Sequence, residues 1–285
     1  SVGIDVLVDL NGYSYPDRLG LFALRPARAI VGWFNMFATT GSSGFDWLVG
    51  DANVIGPDEE AHYVERIHRL PGSYLAFDVR YPVPPIAPPP SLNAGYITFG
   101  CLGSQHKLTE PVLAAWAEIL RAAPTARLIL QNATLEDASS RDHTLARLAR
   151  HGIDAARVAL AGRAEHFEFL RSYDGIDVAL DTFPYNGGTT TSEALWQGAP
   201  VLAYNGDRWA ARTSRSVLTA AGLGDWVTQD IASYVSRGIV LANDPTIPAQ
   251  LASLRASMRD RLRASAICDT AALCRAMEAF YQTIA

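Results

Sequence analysis

The segment richest in chemistry is Asp181-Thr-Phe-Pro-Tyr-Asn-Gly-Gly-Thr-Thr-Thr-Ser-Glu193. It follows an apolar run at 176–180 that reads as a buried strand, and it leads into a helix expected around 191–197, ended by Gly198. The first amides of a helix lack carbonyl partners, and with the helix dipole they attract a phosphate oxygen. Gly187 and Gly188 let that oxygen approach the main chain with no Cβ in the way. Thr189 and Thr190 add hydroxyl donors. Glu193, one turn further on, is placed to accept hydrogen bonds from two ribose hydroxyls. Donors at a phosphate with an acid beyond them grip a nucleotide. A plain capped helix, with Thr190 as cap and Glu193 three residues later, is the alternative. It explains those two residues but leaves the preceding Asn-Gly-Gly without a role.

Two further loops follow strand-like runs. Phe99-Gly-Cys-Leu-Gly-Ser-Gln-His-Lys107 ends on an ammonium, a mobile point charge suited to a diphosphate. By itself a loop lysine is usually just solvated. Leu160-Ala-Gly-Arg-Ala-Glu-His166 supplies His166, which reads either as a core or surface histidine or as a ring stacked on a base. Ligands bind open α/β sheets at the carboxyl ends of their strands, so three such loops at one edge carry more than any one of them.

The elements that must hold these loops alternate cleanly. Strands are expected at 96–101, 127–131, 158–161, 176–180 and 200–204. A helix opens at Glu110 and Pro111 with Thr109 as its cap, and Val112, Leu113, Trp116, Ile119 and Leu120 form its apolar face. A polar helix over 139–151 stops at Gly152, a short one covers 166–171, and the chain beyond Arg208 is mostly helical. This is the order of an open doubly wound sheet. Residues 1–80 hold three strand-like runs, at 6–10, 29–33 and 47–50, which suggest part of a parallel sheet rather than a complete one. Between the two regions, Tyr81-Pro-Val-Pro-Pro-Ile-Ala-Pro-Pro-Pro90 excludes helix and ladder and reads as a semi-rigid connector. The expected division is therefore 1–80, a linker at 81–92, and a nucleotide lobe with closing C-terminal helices at 93–285. Because the chain opens almost directly into what reads as a buried strand at 4–10, it is expected to be a piece of a longer enzyme or one of two chains.

Bulk properties narrow the function. A hydrophobic content of 49% and a charged content of 19% describe an ordinary globular protein. A net charge of -5 argues against a nucleic-acid binder while allowing a local basic site for a small phosphate. No apolar run approaches the roughly 20 residues that span a bilayer, and the N-terminus lacks the layout of a signal peptide. Cys101, Cys268 and Cys274 lack the paired spacing of a zinc site and read as reduced thiols, so a cytoplasmic setting is expected. No Asp-x-Asp pair with metal-ligand spacing is present, and no metal is expected.

The loops resemble those of the O-linked N-acetylglucosamine transferase family, as in the catalytic region of a bacterial member. The resemblance is carried by Asn11-Gly-Tyr, Leu21-Phe-Ala-Leu-Arg-Pro26, Asp46-Trp-Leu-Val-Gly-Asp51, the Phe99 to Lys107 loop, the His166 loop and Leu180-Asp-Thr-Phe-Pro-Tyr-Asn-Gly-Gly-Thr-Thr. These segments occur in the family's order over nearly the whole chain. The resemblance implies an α/β fold of GT-B type, two Rossmann-like doubly wound lobes with the first incomplete in this chain. It implies an inverting glycosyltransferase that moves a sugar, N-acetylglucosamine, from a UDP-sugar to Ser or Thr hydroxyls of proteins, with no cofactor. Lys107 would neutralise the departing diphosphate, and Gly187, Gly188, Thr189 and Thr190 would receive its phosphates. Glu193 would bind the ribose, His166 would pack on the uridine, Ala161 and Arg163 would offer main-chain atoms to the uracil, and Asn11 would face the acceptor or sugar. The implied partners are the UDP-sugar, a protein or peptide acceptor and an upstream part of the same enzyme with helical repeats, with no nucleic acid and no membrane. The family's upstream histidine, once proposed as general base, lies before this segment.

Two departures leave sugar and acceptor preference open. Gly188 stands where the family often has histidine, and Trp33-Phe-Asn-Met-Phe-Ala-Thr-Thr-Gly41 differs from a glycine- and proline-rich family loop. A relative acting on asparagine or a small molecule, a UDP-sugar epimerase of the same architecture, and a non-catalytic UDP-sugar-binding scaffold are the competing readings. The connector, Asn11 and the 21–26 segment favour the transferase over the epimerase.

Overall fold

The computed structural model describes residues 3–285; Ser1 and Val2, the start of the segment read above for a signal layout, lie outside the described residues. Four strands, β1 (Val6–Asp9), β2 (Ala29–Gly32), β3 (Trp47–Asp51) and β4 (Arg66–Leu70), form a parallel sheet in the order β1-β2-β3-β4, with the short helix α1 (Leu19–Ala23) between the first two. Ile30, Val31, Leu48 and Val49 on the central strands are fully buried, as a parallel sheet covered on both faces requires. Among the described residues β1 is the first strand of this sheet, with Val6, Leu7 and Val8 half-buried. β4 was not foreseen, because Arg66-Ile-His-Arg-Leu has no apolar run and only Leu70 is buried. Its cover comes from the far end of the chain, where Phe280 stacks on His68 at 3.9 Å.

The second sheet holds β5 (Thr98–Cys101), β6 (Arg127–Gln131), β7 (Val158–Ala161), β8 (Val178–Leu180), β9 (Val201–Tyr204) and β10 (Val227–Thr228). All pairs are parallel, in the order β10-β9-β8-β5-β6-β7. The helices are α2 (Ser91–Ala94), α3 (Glu110–Ala122), α4 (Ala138–Arg150), α5 (His166–Arg171), α6 (Thr189–Trp196), α7 (Thr213–Ala220), α8 (Ile231–Asn243), α9 (Ile247–Arg263) and α10 (Thr270–Ile284). On one face of the sheet the core is built around Trp116 and Ile119 of α3 and Tyr234 of α8. On the other it is built around Leu195 of α6, Val217 of α7 and Met258 of α9. The five apolar residues predicted for α3 are all buried. Thr109 does stand at its N-cap position, but its hydroxyl donates to the Phe183 carbonyl at 3.0 Å instead of receiving a helix amide. Helix–loop packing has taken over the group that local capping would have used.

α10 leaves the second lobe and packs on the first, where Met277 and Phe280 join its core. The connector forms no ladder between the sheets. It is held instead by Arg259 Nη2 donating to the Pro84 carbonyl at 2.7 Å, and just ahead of it the Phe77 N–H donates to the Ile267 carbonyl at 2.8 Å. No helix among the described residues is long and apolar enough to cross a membrane.

Candidate functional site

Strand order reverses between β5 and β8, since the chain adds strands on one side of β5 and then returns to the other. Crossovers leave in opposite directions there, which opens a crevice at the carboxyl ends of the two strands. The loop after β5 carries Lys107 and the loop after β8 carries residues 181–188. The crevice continues into a cleft of about 240 Å³ between the lobes. Asn35 and Phe37 line it from the first lobe, and Lys107, Tyr185, Gly188, Thr189 and Thr190 line it from the second.

α6 begins at this cleft without a side-chain cap, and its N-cap is Gly188. The first main-chain bond closing the helix is Ser192 N–H to the Gly188 carbonyl at 3.0 Å. The amides of Thr189 to Thr191 precede it and lack an intrahelical carbonyl. Thr190 caps nothing, and Glu193 is engaged elsewhere, so the capped-helix alternative fails. One expected donor is corrected. The Gly187 amide donates to Asp181 Oδ1 at 2.8 Å and is not free for a phosphate. Gly187 is required for a packing reason: a Cβ there would meet Thr191 Oγ1 at 2.5 Å and Thr190 Oγ1 at 2.8 Å. Gly188 differs, because its nearest neighbour would be Thr213 Cγ2 at 3.4 Å, and a side chain fits.

Lys107 closes a 3-10 turn after β5. Its Nζ donates to the Asn186 carbonyl at 2.7 Å and lies 3.9 Å from the centre of the Tyr185 ring. Burial holds its ammonium below the usual lysine range, while the charge of Asp181 opposes that shift. It is the only lysine in the chain.

Asp181 lies beneath this arrangement. Its Oδ1 accepts the Thr182 and Gly187 amides at 2.9 and 2.8 Å, and its buried Oδ2 has no partner. Burial pushes its carboxyl up to about 6. The unfolded carboxyl titrates near the ordinary 3.8. The protonated form therefore stabilises the fold at low pH, and that contribution is lost as pH rises through 6. Asp181→Asn keeps the acceptor for both amides and removes the titration. Relative to this variant, wild-type unfolding free energy is expected to gain on the order of 2 kcal/mol between pH 7.5 and 4.5. Urea melts across that range measure it, and parallel profiles would overturn it.

His166 and Glu193 meet across two elements, with Nε2 and Oε1 2.8 Å apart. Burial raises the Glu193 carboxyl, and the His166 contact draws it back down. His166 is neither a core residue nor a free surface one: its side chain is 49% exposed and packs edge-on against Tyr81 of the connector at 4.7 Å. The Ala161 carbonyl accepts the Asn132 amide at 3.2 Å, and Arg163 is exposed. Asn11 stands apart. It lines a groove with Leu7, Leu21 and Pro26, and its link to the cleft is the Asn35 Nδ2 bond to its carbonyl at 3.4 Å. Asp181, Tyr185 and Tyr81 were not singled out from sequence. Asp181, a carboxylate at a strand's end, was legible; the two tyrosines acquire their positions only when connector and lobes meet. Among the described residues no three His, Cys, Asp or Glu side chains are grouped to hold a metal ion.

Residues 1–86 and 91–277 match the model of glycosyl transferase family 41. The chain belongs to glycosyl transferase family 41. This family 41 chain is 34% identical over 282 residues to the probable UDP-N-acetylglucosamine–peptide N-acetylglucosaminyltransferase SPINDLY of Solanum lycopersicum, covering 99% of the chain and 30% of that relative. It superposes on a Thermobaculum terrenum O-GlcNAc transferase mutant with a TM-score of 0.90 and 35% identity, over 99% of its own length and 54% of the other's. Anabaena HepE, solved with UDP and glucose, matches at a TM-score of 0.62 over 98% of this chain and 78% of its own, with 14% identity, and attests the fold alone. The fold is thus α/β of GT-B type, and the family 41 chain spans under a third of its curated relative and about half of the solved bacterial transferase.

Proposed function

We propose that the complete protein transfers N-acetylglucosamine from UDP-N-acetylglucosamine to serine and threonine hydroxyls of proteins, with inversion at the anomeric carbon. The observation that carries this reading is the convergence of an uncapped helix start and the chain's one lysine on a cleft between two lobes. The names of the tomato and Thermobaculum relatives support the sugar and the peptide acceptor.

The acceptor oxygen bonds the anomeric carbon as the bond from that carbon to the diphosphate oxygen breaks, and the electron pair leaves with UDP. The charge that develops on the diphosphate meets Lys107 and the first amides of α6, with the Thr189 and Thr190 hydroxyls beside them. Glu193 holds the ribose hydroxyls, His166 packs on the uridine, and the main chain of Ala161 and Arg163 reads the uracil. Asn11 acts on the acceptor side through Asn35. The residues lining the cleft include no carboxylate and no histidine. Burial raises the phenols of Tyr74, to about 12, and of Tyr185, which disfavours either as a base. Since the cleft residues of this chain offer no base, the hydroxyl proton goes to the departing diphosphate or to a group in the part of the enzyme beyond this chain.

No metal and no further cofactor enter this scheme, because the lysine and helix amides do the neutralising. Three free thiols support a cytoplasmic setting. The much greater length of the tomato relative supports a further segment of the same enzyme; that it carries helical repeats that recruit acceptors rests on the family resemblance alone.

The test is incubation of the complete protein with UDP-N-acetylglucosamine labelled in the sugar and a panel of Ser- and Thr-containing peptides, with and without EDTA. Label is expected on hydroxyl side chains at equal rates in both conditions. UDP binding with no transfer to any peptide would favour the scaffold reading, and loss of transfer in EDTA would end the metal-free one.

A further inference from the structure

Residues 209–216 belong by sequence to the second lobe, yet they grip both lobes. Trp209 is buried in the core of the first lobe. Arg212 Nη1 pairs with Glu59 Oε2 at 2.6 Å. Ser216 Oγ donates to Asp51 Oδ2 at 2.6 Å and lies 2.6 Å from Ser73 Oγ. Asp51 also accepts the Tyr74 amide on that oxygen at 2.8 Å, and it is fully buried at the end of β3. Thr213 Oγ1 lies 3.4 Å from the Tyr74 hydroxyl.

Ala210 and Ser214 face the other way. The Ala210 carbonyl accepts the Asn186 amide at 2.8 Å. Ser214 Oγ donates to the Gly187 carbonyl at 3.0 Å and lies 2.8 Å from Thr191 Oγ1. Both serines are 0% exposed, so neither bond has water as a substitute. The turn that opens α6 is thus clamped between β8, through Asp181, and this segment.

We propose that residues 209–216 couple the first lobe to the diphosphate turn, with Ser214 and Ser216 as positioning residues. This rests on the function proposed above. The first lobe sets the segment through Asp51, Glu59 and the Trp209 pocket, and the segment sets the Asn186–Gly187 main chain. The aim of the Thr189–Thr191 amides follows from that turn, and a misplacement of about 1 Å is enough to weaken such a site. Seating an acceptor in the cleft and gripping the donor are then linked through this element.

In the complete protein, Ser216→Ala is expected to raise the UDP Kd and the donor KM by about 3- to 10-fold, although Ser216 touches neither. Hydrogen exchange over 186–192 should quicken in the same variant. Ser214→Ala should act in the same direction. In the double variant the combined effect should exceed the larger single effect by less than about twofold, since both changes cut one linkage. A merely structural role would lower Tm and the active fraction, and hence apparent kcat, while leaving Kd and KM alone. That pattern, or multiplying effects in the double variant, overturns the proposal. Glu59→Gln loosens the same face at a pair whose side chains are 15% and 22% exposed, and it provides the measurement if Ser216→Ala does not fold. No UDP binding by the wild type would instead overturn the functional reading, and this inference with it.

Discussion

Lys107→Met is expected to lower the turnover of sugar transfer by about 10²- to 10³-fold. Negative charge grows on the diphosphate only as the glycosidic bond breaks, so the ammonium does more in the transition state than in the ground state. UDP affinity should therefore fall much less than kcat. The resting contacts show how the side chain is held ready. Its Nζ lies on the Asn186 carbonyl and over the Tyr185 ring, both on the turn that opens α6. Burial has stripped it of much of its water, so exchanging a carbonyl for a phosphate oxygen costs little further desolvation. This chain has no second lysine that could move in to replace it. Steady-state rates with UDP-N-acetylglucosamine and calorimetry with UDP separate the two effects. An unchanged kcat in the variant would remove Lys107 from the chemistry.

Glu193→Ala should produce the complementary pattern, with donor KM raised by about 30- to 100-fold through the loss of two hydrogen bonds to a charged acceptor, and kcat nearly unchanged. The ribose is remote from the reacting carbon, so its contacts are made equally in the ground and transition states. The substitution also leaves His166 Nε2 without its 2.8 Å partner, which loosens the wall against Tyr81. A 2′-deoxy donor gives the sharper reading. Wild type should discriminate against it, and Glu193→Ala should barely distinguish the two donors. Equal discrimination by both proteins would show that this carboxylate serves His166 and not the ribose.

Lys107 and Glu193 were legible because one sits in the loop after β5 and the other one turn into the helix that follows the β8 loop, at the edge where an open parallel sheet presents its ligand groups. The same logic located His166, which α5 presents to Glu193. It misled at two points where a group had a tertiary partner that local rules do not see. The Gly187 amide turned to Asp181, and the Thr109 hydroxyl turned to Phe183. Asn11 was quoted for its family motif, but the structure puts it in a neighbouring groove and connects it to the cleft through Asn35.

By itself the sequence determined five of the six strands of the second sheet, β5 to β9, with their crossovers and the loops at its carboxyl edge; the two-residue β10 at Val227–Thr228, in a stretch expected to be mostly helical, was not foreseen. The foreseen features follow from apolar runs, glycine and proline signals and helix faces within about 15 residues of one another, which is the range of local periodicity. Only the tertiary structure decided β4, the return of α10 to the first lobe, the Tyr81–His166 and Tyr185–Lys107 contacts, and the two-faced segment at 209–216. Ser214 and Ser216 show why. In sequence they are two small polar residues in a helix, with nothing to distinguish them from a solvated face. Their partners lie 27 and 165 positions away, and burial beside a carbonyl and a carboxylate turns two hydroxyls into the join between lobes.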